Sequence, residues 1–211
     1  MNNLVGIVDY GCGNIRSVIN AVHAVGGISS IIDNPTQIDC HKKIILPGVG
    51  AFKQAMTNLR DRDLLAPLLH VPDNPNIEVL GICLGMQVMC KCSYEEGETP
   101  GLGWFDAEVV SIKPEGSANL KIPHIGWNTI EILREHPYFS DVPNRSDVYF
   151  ANGFCVRPGS TTDALTTSDY GSSFVSSLHK DNMVGLQFHP EKSHNIGLTI
   201  IKNFIEYQKS V

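Results

Sequence analysis

Ile77-Glu78-Val79-Leu80-Gly81-Ile82-Cys83-Leu84-Gly85-Met86-Gln87 is the stretch from which the fold is read. Residues 77–82 are a short apolar run of the kind that forms a strand buried on both faces, and a helical pattern follows at once over residues 84–89. Cys83 stands at the joint, between Gly81 and Gly85. A strand that passes directly into a helix is half of a βαβ unit, so the neighbouring segments decide whether the unit repeats.

It does repeat upstream. Residues 4–9 form another apolar run, closed by the turn residues Gly11 and Gly13. Asn14 then serves as a helix cap, and Ile15, Val18, Ile19, Val22 and Val25 recur at one-faced helical spacing until Gly26-Gly27 ends the pattern. Residues 28–32 and 43–46 read as further strands, the second stopped by Pro47-Gly48-Val49-Gly50. Strands separated by helical segments pair in parallel through right-handed crossovers, with helices on both faces. The expected fold class is therefore α/β with a mostly parallel central sheet. Active sites in such folds gather at the carboxyl ends of the strands.

Downstream of Gly103 the texture changes. Residues 107–112, 121–130, 147–152 and 174–179 are short, β-rich and separated by turns, which predicts a smaller antiparallel sheet. A last strand over residues 183–188 leads through Pro190 to a helix carrying Ile196, Ile200, Ile201, Phe204 and Ile205. With 211 residues, one domain spanning residues 1–211 is expected.

Composition excludes several classes of function. The formal charge of −6, with Lys and Arg scattered, leaves no basic stripe for a nucleic acid. Met1-Asn2-Asn3 carries no basic leader, and no apolar run approaches the roughly 20 residues of a membrane span. The six cysteines, at 12, 40, 83, 90, 92 and 155, show no metal-ligand spacing. They read as reduced thiols of a cytoplasmic protein, with no metal or cofactor expected.

Among those cysteines, Cys83 has the context of a nucleophile. Gly-x-Cys-x-Gly between strand and helix is the thiol version of a nucleophile elbow, and the helix start favours thiolate. A thiolate needs a proton partner, and His189 ends an apolar strand just before Pro190. If the chain stays extended there, Glu191 points to the same side and orients the imidazole. A neutral His189 acting as base predicts activity that falls as pH drops through the imidazole range. The backbone N–H of Leu84 is one candidate oxyanion donor, with Val49 or Gly50 of the glycine loop as a second.

Leu46-Pro-Gly-Val-Gly-Ala-Phe52, Gly81-Ile-Cys-Leu-Gly-Met-Gln87 and Gln187-Phe-His-Pro-Glu-Lys-Ser193 together resemble the class I, triad-type glutamine amidotransferases. Asp9-Tyr-Gly-Cys-Gly-Asn-Ile-Arg-Ser17 and Pro123-His-Ile-Gly-Trp-Asn128 narrow the resemblance to the glutaminase subunits of imidazole glycerol phosphate synthases and close paralogues. The resemblance implies a Cys83, His189, Glu191 triad that hydrolyses L-glutamine through a γ-glutamyl thioester. It implies substrate contacts from Gly48, Gln87 and Glu95, with Glu96 as the rival to Glu95. It implies ammonia passed to a cyclase or synthase subunit in a heterodimer of the histidine pathway, with Asn14, Lys192 and the loop 123–128 at the boundary. One departure stands out: Asn152-Gly153-Phe154 replaces the family's usual His-Ser-Tyr run. This keeps open a paralogue feeding a different synthase, such as one amidating a surface sugar. A cysteine hydrolase of γ-glutamyl peptides shares the same nucleophile logic.

Overall fold

The computed structural model describes residues 3–113 and 120–208. Met1 and Asn2, which open the segment read above for a leader, lie outside the described residues. In chain order the elements are β1 (Leu4–Val8), α1 (Ile15–Ala24), β2 (Ile28–Ile32), β3 (Lys43–Leu46), α2 (Phe52–Asp61), α3 (Leu65–Leu69), β4 (Glu78–Ile82) and α4 (Leu84–Val88). They continue with β5 (Cys90–Ser93), β6 (Thr99–Pro100), β7 (Phe105–Ser111), β8 (His124–Thr129), β9 (Glu131–Ile132), β10 (Asp147–Asn152) and β11 (Phe154–Pro158). The last are β12 (Ala164–Asp169), β13 (Ser173–Lys180), β14 (Met183–Leu186) and α5 (His194–Glu206).

The main sheet runs β2-β1-β3-β4-β14-β13-β11-β7-β5-β6. Its first five strands are all parallel, with Leu46 opposite Gly81 and Gly81 opposite Gly185 at the centre. Alternation along these strands divides the core between two faces. Ile44, Leu46 and Val79 pack with Phe52, Met56 and Leu59 of α2. Ile45, Leu80 and Ile82 pack with Val18 and Val22 of α1 and with Ile200, Ile201 and Phe204 of α5. Each of these side chains is at least 95% buried, which contributes about 1.5–3 kcal/mol per large aliphatic residue. That two-sided burial is why the parallel strands read as unbroken apolar runs.

The antiparallel half divides in two. Strands β13, β11 and β12 extend the main sheet, whereas β8 and β10 form a separate two-stranded sheet. Strand β12 was invisible to a hydrophobic pattern because only Ala164 and Leu165 of its buried positions are apolar, the others being Thr166 and Ser168. Thr166 is fully buried and shares its hydroxyl with Ser176 and Ser177, both at 2.7 Å. Strand β8 begins at His124 rather than at residue 121, and β14 stops at Leu186 rather than at residue 188. Gln187 N–H still donates to Ser176 on β13 at 2.9 Å, after which the N–H of His189 is drawn instead to the carbonyl of Tyr149 on β10, at 2.8 Å. Among the described residues no helix is long and apolar enough to cross a membrane.

Candidate active site

Strand β4 delivers Cys83 into a turn with φ 50° and ψ −107°, a region that costs a residue with a side chain about 1–3 kcal/mol. The surroundings hold it there. Its N–H donates to the Leu186 carbonyl at 2.7 Å, and its own carbonyl accepts from Gln87 N–H at 3.1 Å. The flanking glycines are a packing requirement. A Cβ on Gly81 would lie 2.3 Å from the Met89 sulfur, and one on Gly85 would lie 1.7 Å from the Leu46 carbonyl oxygen. Helix α4 has only five residues, so the dipole expected to favour thiolate is small.

His189 and Glu191 meet with Nδ1 and Oε1 2.8 Å apart, their side chains 1% and 3% exposed. The contact arises otherwise than expected. Residues Pro190–Lys192 form a single 3-10 turn, not an extended strand, and the turn folds Glu191 back onto the ring. Burial opposes a charge on this imidazole, but the hydrogen bonding and charge of Cys83 and Glu191 outweigh it and raise its pKa to about 10. His189 Nε2, the nitrogen not held by Glu191, is buried without a hydrogen bond of regular geometry. These influences favour a charged imidazolium beside Cys83, where the sequence led to the expectation of a neutral base.

Gln187, which sequence reasoning passed over, is fully buried and donates from Nε2 to the Cys83 sulfur at 3.7 Å. Its Oε1 accepts from Gln87 Nε2 at 3.2 Å, and the same Gln87 nitrogen donates to the Phe154 carbonyl at 3.2 Å. Gln87 is thus a link between nucleophile and β11. The signal available in the sequence was a glutamine inside an apolar run, two residues before His189. Ser193 was missed as well: its hydroxyl donates to the His189 carbonyl at 2.6 Å and accepts from Tyr149 N–H at 3.0 Å.

The glycine loop 47–50 lies against the elbow. Leu84 N–H, the expected oxyanion donor, points at the Gly48 carbonyl at 3.4 Å, so it is engaged in this state. Rotation of the Gly48–Val49 peptide would release it and bring the Val49 N–H round. Gly48 must lack a side chain, since a Cβ would sit 2.5 Å from the Tyr10 hydroxyl. That hydroxyl, on a fully buried ring, donates to the Pro47 carbonyl and anchors the loop from the β1 side.

A cavity of about 170 Å³ opens over Cys83. Val49, Gly50, Leu84, Gln87 and Glu95 line one part of it, and residues 151–154 line the other. An apolar cavity of roughly 150 Å³ takes one benzene-sized molecule, so this one suits a single small ligand. Glu95 is half-buried, with Oε2 accepting from Phe52 N–H at 2.7 Å at the start of α2, while Glu96 is exposed and off the cavity. A groove of about 500 Å³ beside Ile132, His136 and Phe139 is larger but is lined by no cysteine. No group of three or more His, Cys, Asp or Glu able to hold a metal occurs among the described residues.

Residues 6–207 match the family model described as glutamine amidotransferase class-I. The chain belongs to the class-I glutamine amidotransferases. The chain is 42% identical over 204 residues to "Imidazole glycerol phosphate synthase subunit HisH 1" of Campylobacter jejuni, covering 96% of this chain and 99% of the relative. It is 39% identical over 203 residues to "Imidazole glycerol phosphate synthase subunit HisH 2" of Pseudomonas aeruginosa, covering 96% and 99%. Among solved structures, PurLQS from Thermotoga maritima is similar with a TM-score of 0.75 at 17% identity, covering 98% of this chain and 99% of that one. A putative GMP synthase subunit from Thermoplasma acidophilum gives a TM-score of 0.70 at 20% identity, covering 96% and 92%.

Part of the surface beside this amidotransferase site is apolar. Val49 is exposed beside the cavity, and Ile125 and Trp127 project from β8, Ile125 being 64% exposed. Trp127 stacks on His194 with ring centres 4.9 Å apart. Lys192 is exposed, with Nζ 5.6 Å above the Tyr149 ring. Asn14 is exposed and caps α1 by accepting from Ser17 N–H at 3.3 Å. Its neighbour Gly13 packs on the glycine loop 47–50, where a Cβ would contact Gly48 Cα at 3.5 Å.

Proposed function

We propose that the chain, acting as one cytoplasmic domain, hydrolyses L-glutamine and delivers ammonia to a synthase subunit docked over the site. The reading rests on one coincidence: a strained cysteine elbow, a buried His189–Glu191 pair and a cavity for one small molecule occupy the same place. Cys83 thiolate attacks the amide carbon and forms the C–S bond. Leu84 and Val49 N–H groups take the oxyanion, with Gly48 supplying the freedom for the Gly48–Val49 peptide to turn and Gly50 the slack on its far side. As the C–N bond breaks, His189 gives its proton to the leaving nitrogen, and ammonia departs. Water then attacks the thioester, His189 takes the water proton, and glutamate leaves with the thiolate restored. Glu191 keeps the imidazole oriented throughout. Glu95 receives the α-ammonium, and Gly48 and Gln87 border the substrate.

Because Leu84 N–H rests on the Gly48 carbonyl, the isolated chain works slowly and docking turns the peptide. Asn14 and Lys192 on the boundary, together with the Gly13 contact to Gly48, give the partner a route to that loop. The relatives' names support imidazole glycerol phosphate formation in histidine biosynthesis as the destination of the ammonia. A second synthase is favoured only by Asn152-Gly153-Phe154, which alters the cavity wall nearest the boundary. A small cavity disfavours γ-glutamyl peptides as substrates.

The test is glutamate release with and without each synthase. Cys83→Ala and His189→Ala abolish it while the melting transition is retained. A Cys83→Ala variant that still hydrolyses glutamine would sink the proposal.

A further inference from the structure

Asn152 ends β10 directly opposite His124, is 5% exposed and lines the cavity over Cys83. Its Nδ2 donates to the Phe154 carbonyl at 2.9 Å, which fixes the amide orientation by giving the donor end a partner. The same carbonyl also accepts from Gln87, so both of its lone pairs are in use. Asn152 Oδ1 is left buried with no hydrogen-bond partner, the only such side-chain atom on the described cavity wall. An orphaned buried acceptor costs about 1–3 kcal/mol unless something donates to it.

A primary ammonium brings three donors and no acceptor. Glu95 keeps Oε1 for such a group while Oε2 accepts from Phe52 N–H, but one carboxylate on one side meets at most two of three divergent N–H bonds, so a further acceptor is needed inside the cavity. We infer that Asn152 Oδ1 is a specificity-determining acceptor for the substrate's α-ammonium, making the cavity selective for a free α-amino acid amide. The inference rests on the glutaminase reading above. It also assigns a use to Asn152 in the run that departs from the family pattern. The amide side chain in place of a ring offers one neutral acceptor whose direction is set by its own donor end.

The experiment measures L-glutamine binding by titration calorimetry in a Cys83→Ala background, where no turnover occurs. Glutaramate, the same molecule without the α-amino group, is the second ligand. Asn152→Leu keeps the shape and removes the acceptor, and it weakens L-glutamine by about 10- to 100-fold while leaving glutaramate unchanged. Asn152→Asp keeps an acceptor but loses the bond to Phe154, and it retains L-glutamine affinity within about threefold. Equal weakening of both ligands by Asn152→Leu, or equal loss in the Leu and Asp variants, overturns the assignment and makes Asn152 a structural tie to Phe154. If the Cys83→Ala protein binds no L-glutamine even with Asn152 intact, the glutaminase reading itself fails and the assignment falls with it.

Discussion

Replacing Gly85 by alanine places a methyl group 1.7 Å from the Leu46 carbonyl oxygen, where ordinary contact begins at 3.4 Å. Strand β3 is paired on both sides, to β1 and β4, so its backbone cannot retreat. The start of α4 must therefore move by about 1.7 Å, and Cys83, one residue before that helix, moves with it. Misplacing a reacting group by about 1 Å costs on the order of 100-fold in rate, or about 2.7 kcal/mol. Overpacking a core costs about 1–3 kcal/mol, which in a chain of this length lowers Tm by about 2–12 °C. Glutamate release with the synthase present and a calorimetric melt read the two effects. Gly26→Ala is the control, since a Cβ there meets nothing within 4 Å and only the backbone at φ +79° objects. It should lose about 1 kcal/mol of stability and no activity. A Gly85→Ala protein that melts within 1 °C of the parent and keeps a third of its activity would refute the packing account of the elbow.

Two more outcomes follow from the same geometry. The His189 ring, raised to about 10, should show no titration by NMR between pH 6 and 8, and activity should not fall through the ordinary imidazole range. Its charged form contributes stability in full below about pH 6.5 and loses it as pH rises through about 10. Glu191→Gln removes one of the raising influences and should bring the midpoint down; a parent ring titrating near 6.5 contradicts the charged pair. Glu95→Gln should raise KM for glutamine by about 10- to 100-fold with a smaller change in kcat, because a charged partner of the ammonium is lost. Glu96→Gln, outside the cavity, should leave both constants unchanged, and the reverse pattern would exchange their roles.

Legibility differed from element to element. The parallel strands β1, β3 and β4 were readable because burial on both faces leaves continuous apolar runs. Helices α1 and α5 were readable because one face is buried against the sheet and the other is wet. Strand β12 was not readable, since buried Thr166 and Ser168 interrupt its apolar pattern and Thr166 finds its partners, Ser176 and Ser177 of β13, only after the chain has folded. The Cys83 elbow announced itself through two glycines at fixed spacing. Gln187 did not, because a lone buried glutamine gains meaning only from the Cys83 and Gln87 side chains that the fold brings to it.

By itself the sequence determined the α/β alternation, the position of Cys83 between strand and helix, and the pairing of His189 with Glu191 two residues on. These are matters of spacing along the chain, where neighbours in sequence stay neighbours in space. Tertiary structure decided what depends on separated segments meeting. It folded Glu191 onto His189 through a turn instead of a strand, and set the charge of that ring. It also engaged Leu84 N–H with Gly48, and left Asn152 Oδ1 without a partner in the cavity wall. Each is set by distance and burial in surroundings that separated segments build, and those quantities exist only once the sheet has closed around them.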